Sequence, residues 1–152
     1  MTVKLSAELI VLAAPHSSDP YYEDVLEDII NFQIAFAKKA SRYDDVLVLT
    51  DQSLYQTYAK ALGPDKVFIN PVNDIWMRDI GLVNPTKPFF FRYTAEGQGG
   101  GKNGQREADK VQQTIKRLAI SARLKFTSSL LLNDGGNFVD DYEGNQIGRA
   151  HV

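Results

Sequence analysis

At 152 residues and 43% hydrophobic composition, the chain is long enough for one domain with a real core and too short for two comfortable ones. A net charge of −2 with both signs interspersed leaves no basic footprint for a polyanion, which excludes nucleic acid as a partner on composition. Cysteine is absent, so disulfides, thiolate metal sites and thiol nucleophiles are excluded within these residues, and histidine is limited to His16 and His151.

The chain opens with Glu8 to Ala14, read as a first strand buried on both faces and closed by Pro15. This run is far shorter than the roughly 18 residues of a membrane helix. Its apolar part, Leu9 to Ala14, has six residues and is shorter than a secretory core of about 7–15, so no signal peptide is read and a cytoplasmic protein without a membrane partner is expected. Asp19-Pro20 supplies an N-cap followed by proline at the first helical position. Tyr22, Val25, Leu26, Ile29, Ile30, Phe36, Ala37 and Ala40 then mark a long amphipathic helix. Val46 to Leu49 is a second buried strand, and Asp51 caps a shorter helix that ends at Gly63-Pro64.

Lys66 to Asn70 is an apolar strand run stopped by Pro71, and Ile80 to Val83 reads as another. Between them Asn73 to Gly81 packs three charges and the only tryptophan, at the strand end where α/β sheets usually bind ligands. If Trp76 to Asp79 is extended, Met77 and Asp79 share one face and Trp76 and Arg78 the other. Asp79 then faces a ligand while Arg78 ties down the scaffold. The competing reading makes Arg78 and Asp74 a structural ion pair and Trp76 core filler.

Phe89 to Tyr93 gives a further strand, reached by a turn at Asn84-Pro85. The glycine-rich stretch Glu96 to Gly104 follows, then a helix with Ala108, Val111, Ile115, Leu118 and Ala119 at helical spacing. Arg123 to Leu132 is a strand region and Asn137 to Asp141 another, turning at Glu143-Gly144-Asn145. Strands and helices alternate, which says α/β.

Gly99 to Gly104 fits G-x-G-x-x-G, so a nucleotide-binding module is a competing reading. Two features count against it. The first glycine stands well beyond the strand, and Arg123-Leu124-Lys125-Phe126 offers no acidic residue where the fingerprint needs one. A Walker loop fails too, since Asn103 follows Lys102. His16 is read as a rim or structural histidine, because one histidine without partners is weak evidence for catalysis.

Asn73-Asp74-Ile75-Trp76-Met77-Arg78-Asp79 resembles the Asp-Asp-x-Trp-Met-Arg-Asp signature of the agmatine deiminase and bacterial-type peptidylarginine deiminase family, within the guanidino-group-modifying superfamily. A second match, Leu132-Asn133-Asp134-Gly135-Gly136-Asn137-Phe138, resembles that family's Leu-Glu-Gly-Gly-Ser/Asn segment, with aspartate for the commoner glutamate. The resemblance implies a partial α/β propeller (pentein) of ββαβ modules and a hydrolase releasing ammonia through a covalent cysteine intermediate. Asp79 maps to the aspartate that hydrogen-bonds the guanidinium, and Asp134 to the acid that orients the catalytic histidine. Asp74, Trp76, Gly135, Gly136 and Asn137 complete the substrate-binding set, Trp76 either stacking on substrate or serving as scaffold. Agmatine and peptidyl arginine are both compatible substrates, and the resemblance implies no metal and no organic cofactor. It also explains the glycine-rich stretch as a flap beside the active-site mouth, with an ordinary exposed connection as the alternative.

The missing cysteine makes residues 1–146 the expected N-terminal part of a single deiminase domain. Residues 147–152 are expected to be a non-native tail, since Ile147 to Val152 is what ATC GGA AGA GCA CAC GTC encodes, a string that resembles the start of a common sequencing adapter. A module edge left uncovered in this way predicts association, as a homo-oligomer or an aggregate. A non-catalytic guanidine-binding or interaction domain is the further alternative.

Overall fold

A computed structural model of the protein describes residues 9–84, 87–140 and 146–148. The chain divides into two compact units, Met1–Ile75 and Trp76–Val152. Both are mixed α/β. Among the described residues no helix is long and apolar enough to cross a membrane.

In the first unit β1 (Leu9–Ala13), β2 (Asp45–Thr50) and β3 (Val67–Ile69) form a parallel sheet in the order β1-β2-β3. Parallel neighbours need crossovers, and α1 (Leu26–Ala40) and α2 (Tyr55–Leu62) supply them. Ala14, Ile30, Val48, Tyr58 and Val67 form the core, with Leu12, Leu26, Ile34 and Leu54 packed against it. A buried polar bridge crosses this core: the Tyr58 hydroxyl donates to Gln33 at 2.6 Å, and the Gln33 amide donates to the Ala13 carbonyl at 2.9 Å. Both groups are thereby paired, as buried polar groups must be.

Local signals worked where a single side chain fixes the backbone. Asp51 caps the turn into α2 by accepting the Leu54 N–H at 2.8 Å, and Gly63 ends that helix at φ 98°, a conformation glycine tolerates best. Two expectations change. Among the described residues β1 is an edge strand rather than one buried on both faces, and Leu9 is 61% exposed. Asp19 does not start the long helix: its carboxylate accepts the Tyr21 N–H at 2.9 Å in a local turn, and α1 begins only at Leu26 after a 3-10 turn over Glu23–Val25. Aspartate competes with helix in this way whenever its side chain can bond its own backbone.

In the second unit α3 (Met77–Ile80) precedes β4 (Phe89–Arg92), α4 (Gly101–Ser121) and β5 (Thr127–Leu132), and β4 and β5 pair in parallel. β6 (Phe138–Asp140) and β7 (Gln146–Gly148) pair antiparallel. The strand expected over Ile80 to Val83 contracts to one antiparallel bridge between Val83 and Phe89. Ala108, Val111, Ile115 and Ala119 bury the expected face of α4, together with Gln112, while Ile80, Val83, Phe90 and Tyr93 are buried in the same unit.

The glycine-rich stretch is less of a loop than its composition suggests. Gly99 and Gly100 take positive φ, the helix starts at Gly101, and Gly104 lies in its first turn, where a Cβ would meet the Gln98 carbonyl. The predicted turn at 143–145 and residues 149–152 lie outside the described residues.

Candidate active site

The motif is built on one turn of helix. Asp79 and Ile80 both donate their N–H groups to the Trp76 carbonyl, at 2.9 and 3.2 Å, and Gly81 donates to Met77 at 2.9 Å. Trp76 to Asp79 is therefore not extended, and the alternation of faces expected from a strand does not apply. The reason is local: Ile80 is fully buried, and a helical turn lets it reach the core while Trp76, at 59% exposure, stays outside it. Trp76 is not core filler.

α3 and the second motif meet directly. The Gly136 N–H donates to the Asp79 carboxylate at 3.0 Å, and the Arg78 guanidinium donates to the Phe138 carbonyl at 2.5 Å. The approach is so close that a Cβ on Gly135 would run into the Arg78 carbonyl and one on Gly136 into the Asp79 carboxylate. Backbone thus requires glycine by space at position 135, whereas at 136 the obstacle is the end of a side chain. Phe138 anchors the far side edge-on against Phe89 and Phe91, with ring centroids 5.5 and 5.7 Å apart.

Asp134 opens the turn that carries these glycines. Its carbonyl accepts the Asn137 N–H at 3.0 Å, closing a 3-10 turn over Gly135–Asn137, and its carboxylate accepts the Thr94 N–H at 3.4 Å. Asp79, Asp134, Gly135, Gly136 and Asn137 are thus held on one assembly of α3, the end of β4 and the glycine turn. Asp74 belongs to the first unit, where it is buried. There burial, followed by the charges of Asp74 and Asp19, pushes the Tyr22 hydroxyl up to about 12.

A second polar cluster sits at the C-terminal ends of β1 and β2. His16 Nδ1 lies 2.9 Å from the Ser18 hydroxyl and 3.8 Å from the Asp51 carboxylate, which also accepts the Ser17 N–H at 2.7 Å. Burial works to raise the Asp51 carboxyl. The Ser17 hydroxyl and amide, the Leu54 amide and His16 outweigh it and hold the group below the usual carboxylate range. His16 therefore has a hydrogen-bond partner on this rim, in Ser18. Among the described residues no group of three or more His, Asp or Glu side chains could hold a metal ion.

Sequence reasoning passed over Gln112. It is buried on α4, donates to the Phe91 carbonyl at 2.8 Å and the Ile80 carbonyl at 3.4 Å, and accepts the Tyr93 N–H at 3.3 Å. A glutamine four residues after Ala108 and three before Ile115, on the apolar stripe, was the available signal.

The solved agmatine deiminase of C. jejuni has this fold, with a TM-score of 0.71 at 22% identity over 93% of this chain and 43% of that one. The same enzyme with one residue replaced and substrate bound gives 0.69, 22%, 93% and 42%. The agmatine deiminase of Enterococcus faecalis gives 0.64 at 19% identity, covering 93% of this chain and 40% of its own. The chain spans less than half the length of these structures. No curated protein matches it significantly by sequence. The Porphyromonas-type peptidyl-arginine deiminase family matches residues 5–151, nearly the whole sequence that carries both motifs, and the chain belongs to that family.

Proposed function

We propose that these residues contribute the guanidinium-holding part of the active site of a deiminating hydrolase of the agmatine deiminase or peptidylarginine deiminase type. One observation carries this reading beyond family membership: the Trp-Met-Arg-Asp helix and the Asp-Gly-Gly-Asn turn, far apart in sequence, are joined through Asp79 and Gly136. A guanidinium is planar and cationic, so its recognition calls for fixed carboxylates and a flat hydrophobic partner. Asp79 supplies the first, oriented by its bond to Gly136, and the exposed indole of Trp76 offers the second. Asp134 orients the histidine that serves as general acid and base.

The reaction needs a thiolate to attack the guanidinium carbon. The bond to one nitrogen then breaks, ammonia leaves, and water hydrolyses the thiouronium to release a ureido product and the free thiol. With no cysteine among these residues, that nucleophile lies outside them. The order of the Val83 bridge, β4, α4 and β5 supports a ββαβ module of a propeller. The relatives whose structures bear the name agmatine deiminase favour a small guanidino substrate, with a peptidyl arginine as the other candidate.

The test is turnover. The full-length protein, assayed with agmatine and with an arginine peptide, is expected to release ammonia from one of them. If neither is turned over while both bind, the non-catalytic guanidine-binding reading replaces this one.

A further inference from the structure

We propose that Gln112 is a positioning residue for this site, one carboxamide that sets the separation between Asp79 and Asp134. The inference rests on the deiminase reading above for its functional meaning, but not for its geometry.

Phe89 pairs with Thr127 and Phe90 with Ser128, but Arg92 pairs with Leu132, so β5 advances four residues while β4 advances two. The excess is a bulge at Ser129 to Leu131, closed by the Ser129 hydroxyl accepting the Leu131 N–H at 3.0 Å. Bulges re-aim the residues that follow them and are over-represented next to active sites. Here the shift brings Asn133 onto the Arg92 carbonyl at 3.0 Å and the Asp134 carboxylate onto the Thr94 N–H. Continued in the regular register of Phe90 and Ser128, Thr94 would lie opposite Leu132 instead.

Something must hold β4 at this irregular point, and Gln112 does. Its amide donates to the carbonyl of Phe91, the β4 residue at the register jump, and its oxygen accepts from Tyr93, the residue before Thr94. The same amide reaches the Ile80 carbonyl, one residue beyond Asp79. α4 thus grips the backbone beside both carboxylates through one buried side chain. A buried hydrophobic residue at this place would fill the space but leave two carbonyls and an N–H without that partner. Arg92 reinforces the grip from the surface, its guanidinium forked onto Asp109 of α4 at 2.9 and 2.7 Å.

The test reads position rather than turnover. In the full-length protein carrying isotope-labelled threonine, glycine and leucine, the amide protons of Thr94 and Gly136, bonded to Asp134 and Asp79, should exchange slowly with solvent deuterium. Leu54, bonded to Asp51 in the other unit, serves as the internal control. In Gln112→Met the protection of Thr94 and Gly136 from exchange should fall at least twofold while that of Leu54 is unchanged. Gln112→Asn keeps a buried amide but is one methylene too short for these partners, so it should show the same loss if the Met variant fails to fold. In the active enzyme either variant should lower kcat more than it raises KM. Thr94 and Gly136 protection of wild-type size in a folded variant would overturn the proposal. Lost turnover in the wild-type protein would overturn the deiminase reading and leave this one standing.

Discussion

The carboxylate of Asp79 accepts the backbone N–H of Gly136 at 3.0 Å, and the same carboxylate occupies the space a Cβ on Gly136 would need. The neighbouring Gly135 faces something harder, the Arg78 main-chain carbonyl, with a Val83 methyl close by. The two glycines should therefore fail differently. Gly135→Ala must displace backbone and should cost about 1–3 kcal/mol, read as a lower urea midpoint. Gly136→Ala meets the end of a side chain that can rotate away, so it should cost less stability but more guanidinium affinity. Equal losses on both measures would show that the turn yields as one body.

Asp51 sets a pH dependence. Its folded-state pKa is depressed by the bonds from Ser17 and Leu54 and by His16, against the effect of its burial. A depressed carboxylate contributes its full stabilisation above the ordinary range and loses it as pH falls through the folded value. Asp51→Asn keeps one oxygen, enough for only one of the two amides that Ser17 and Leu54 donate, and loses the charge. It should destabilise the protein at about pH 7, and the gap from wild type should narrow at about pH 3. Denaturant midpoints at both values decide it, and a gap that does not change with pH would remove the charge from the account.

How much of this was legible follows from what fixes each element. Asp51 and Gly63 were readable because each acts on its own neighbours, and the stripe through Ala108, Val111, Ile115 and Ala119 because twenty-odd residues of helix repeat it. Trp76 to Asp79 was not, since a single turn of helix has no period to show. Its conformation is set by Ile80 reaching the core and by the Gly135–Asn137 turn lying against it. The proximity of the two motifs came from resemblance, never from spacing. The bulge in β5 was invisible because Thr127 to Leu132 reads as an unbroken strand, and only its register against β4 reveals the extra residues. Gln112 was hidden because a search for apolar periodicity passes over the polar residue on the stripe.

The same bulge has a solution consequence. Leu130 is 89% exposed and Leu131 63%, on a strand whose described ladder is to β4 alone. Exposed apolar edges pair with other chains, and lysine is the residue that commonly guards against it. The isolated 152-residue chain should therefore self-associate in light scattering, and Leu130→Lys should reduce the association. A monodisperse wild-type monomer would show that this edge is harmless.

The last prediction concerns the chemistry. Asp79→Asn keeps the size of the side chain and an oxygen to accept the Gly136 N–H, so the turn should stay in place and stability should change little. What it removes is the negative charge that complements a guanidinium. In the full-length protein, turnover of agmatine or peptidyl arginine should fall about 100-fold or more, in line with other lost electrostatic contacts to a reacting group. The 152-residue chain should release no ammonia from either substrate, since carboxylates can hold a guanidinium but are poor nucleophiles toward its carbon at neutral pH. Ammonia release by steady-state assay, with the urea midpoint of each variant measured alongside, separates the two effects. Near-normal turnover in Asp79→Asn would mean that its bond to Gly136 is its whole purpose, a structural clamp between helix and turn, and that the guanidinium is held elsewhere.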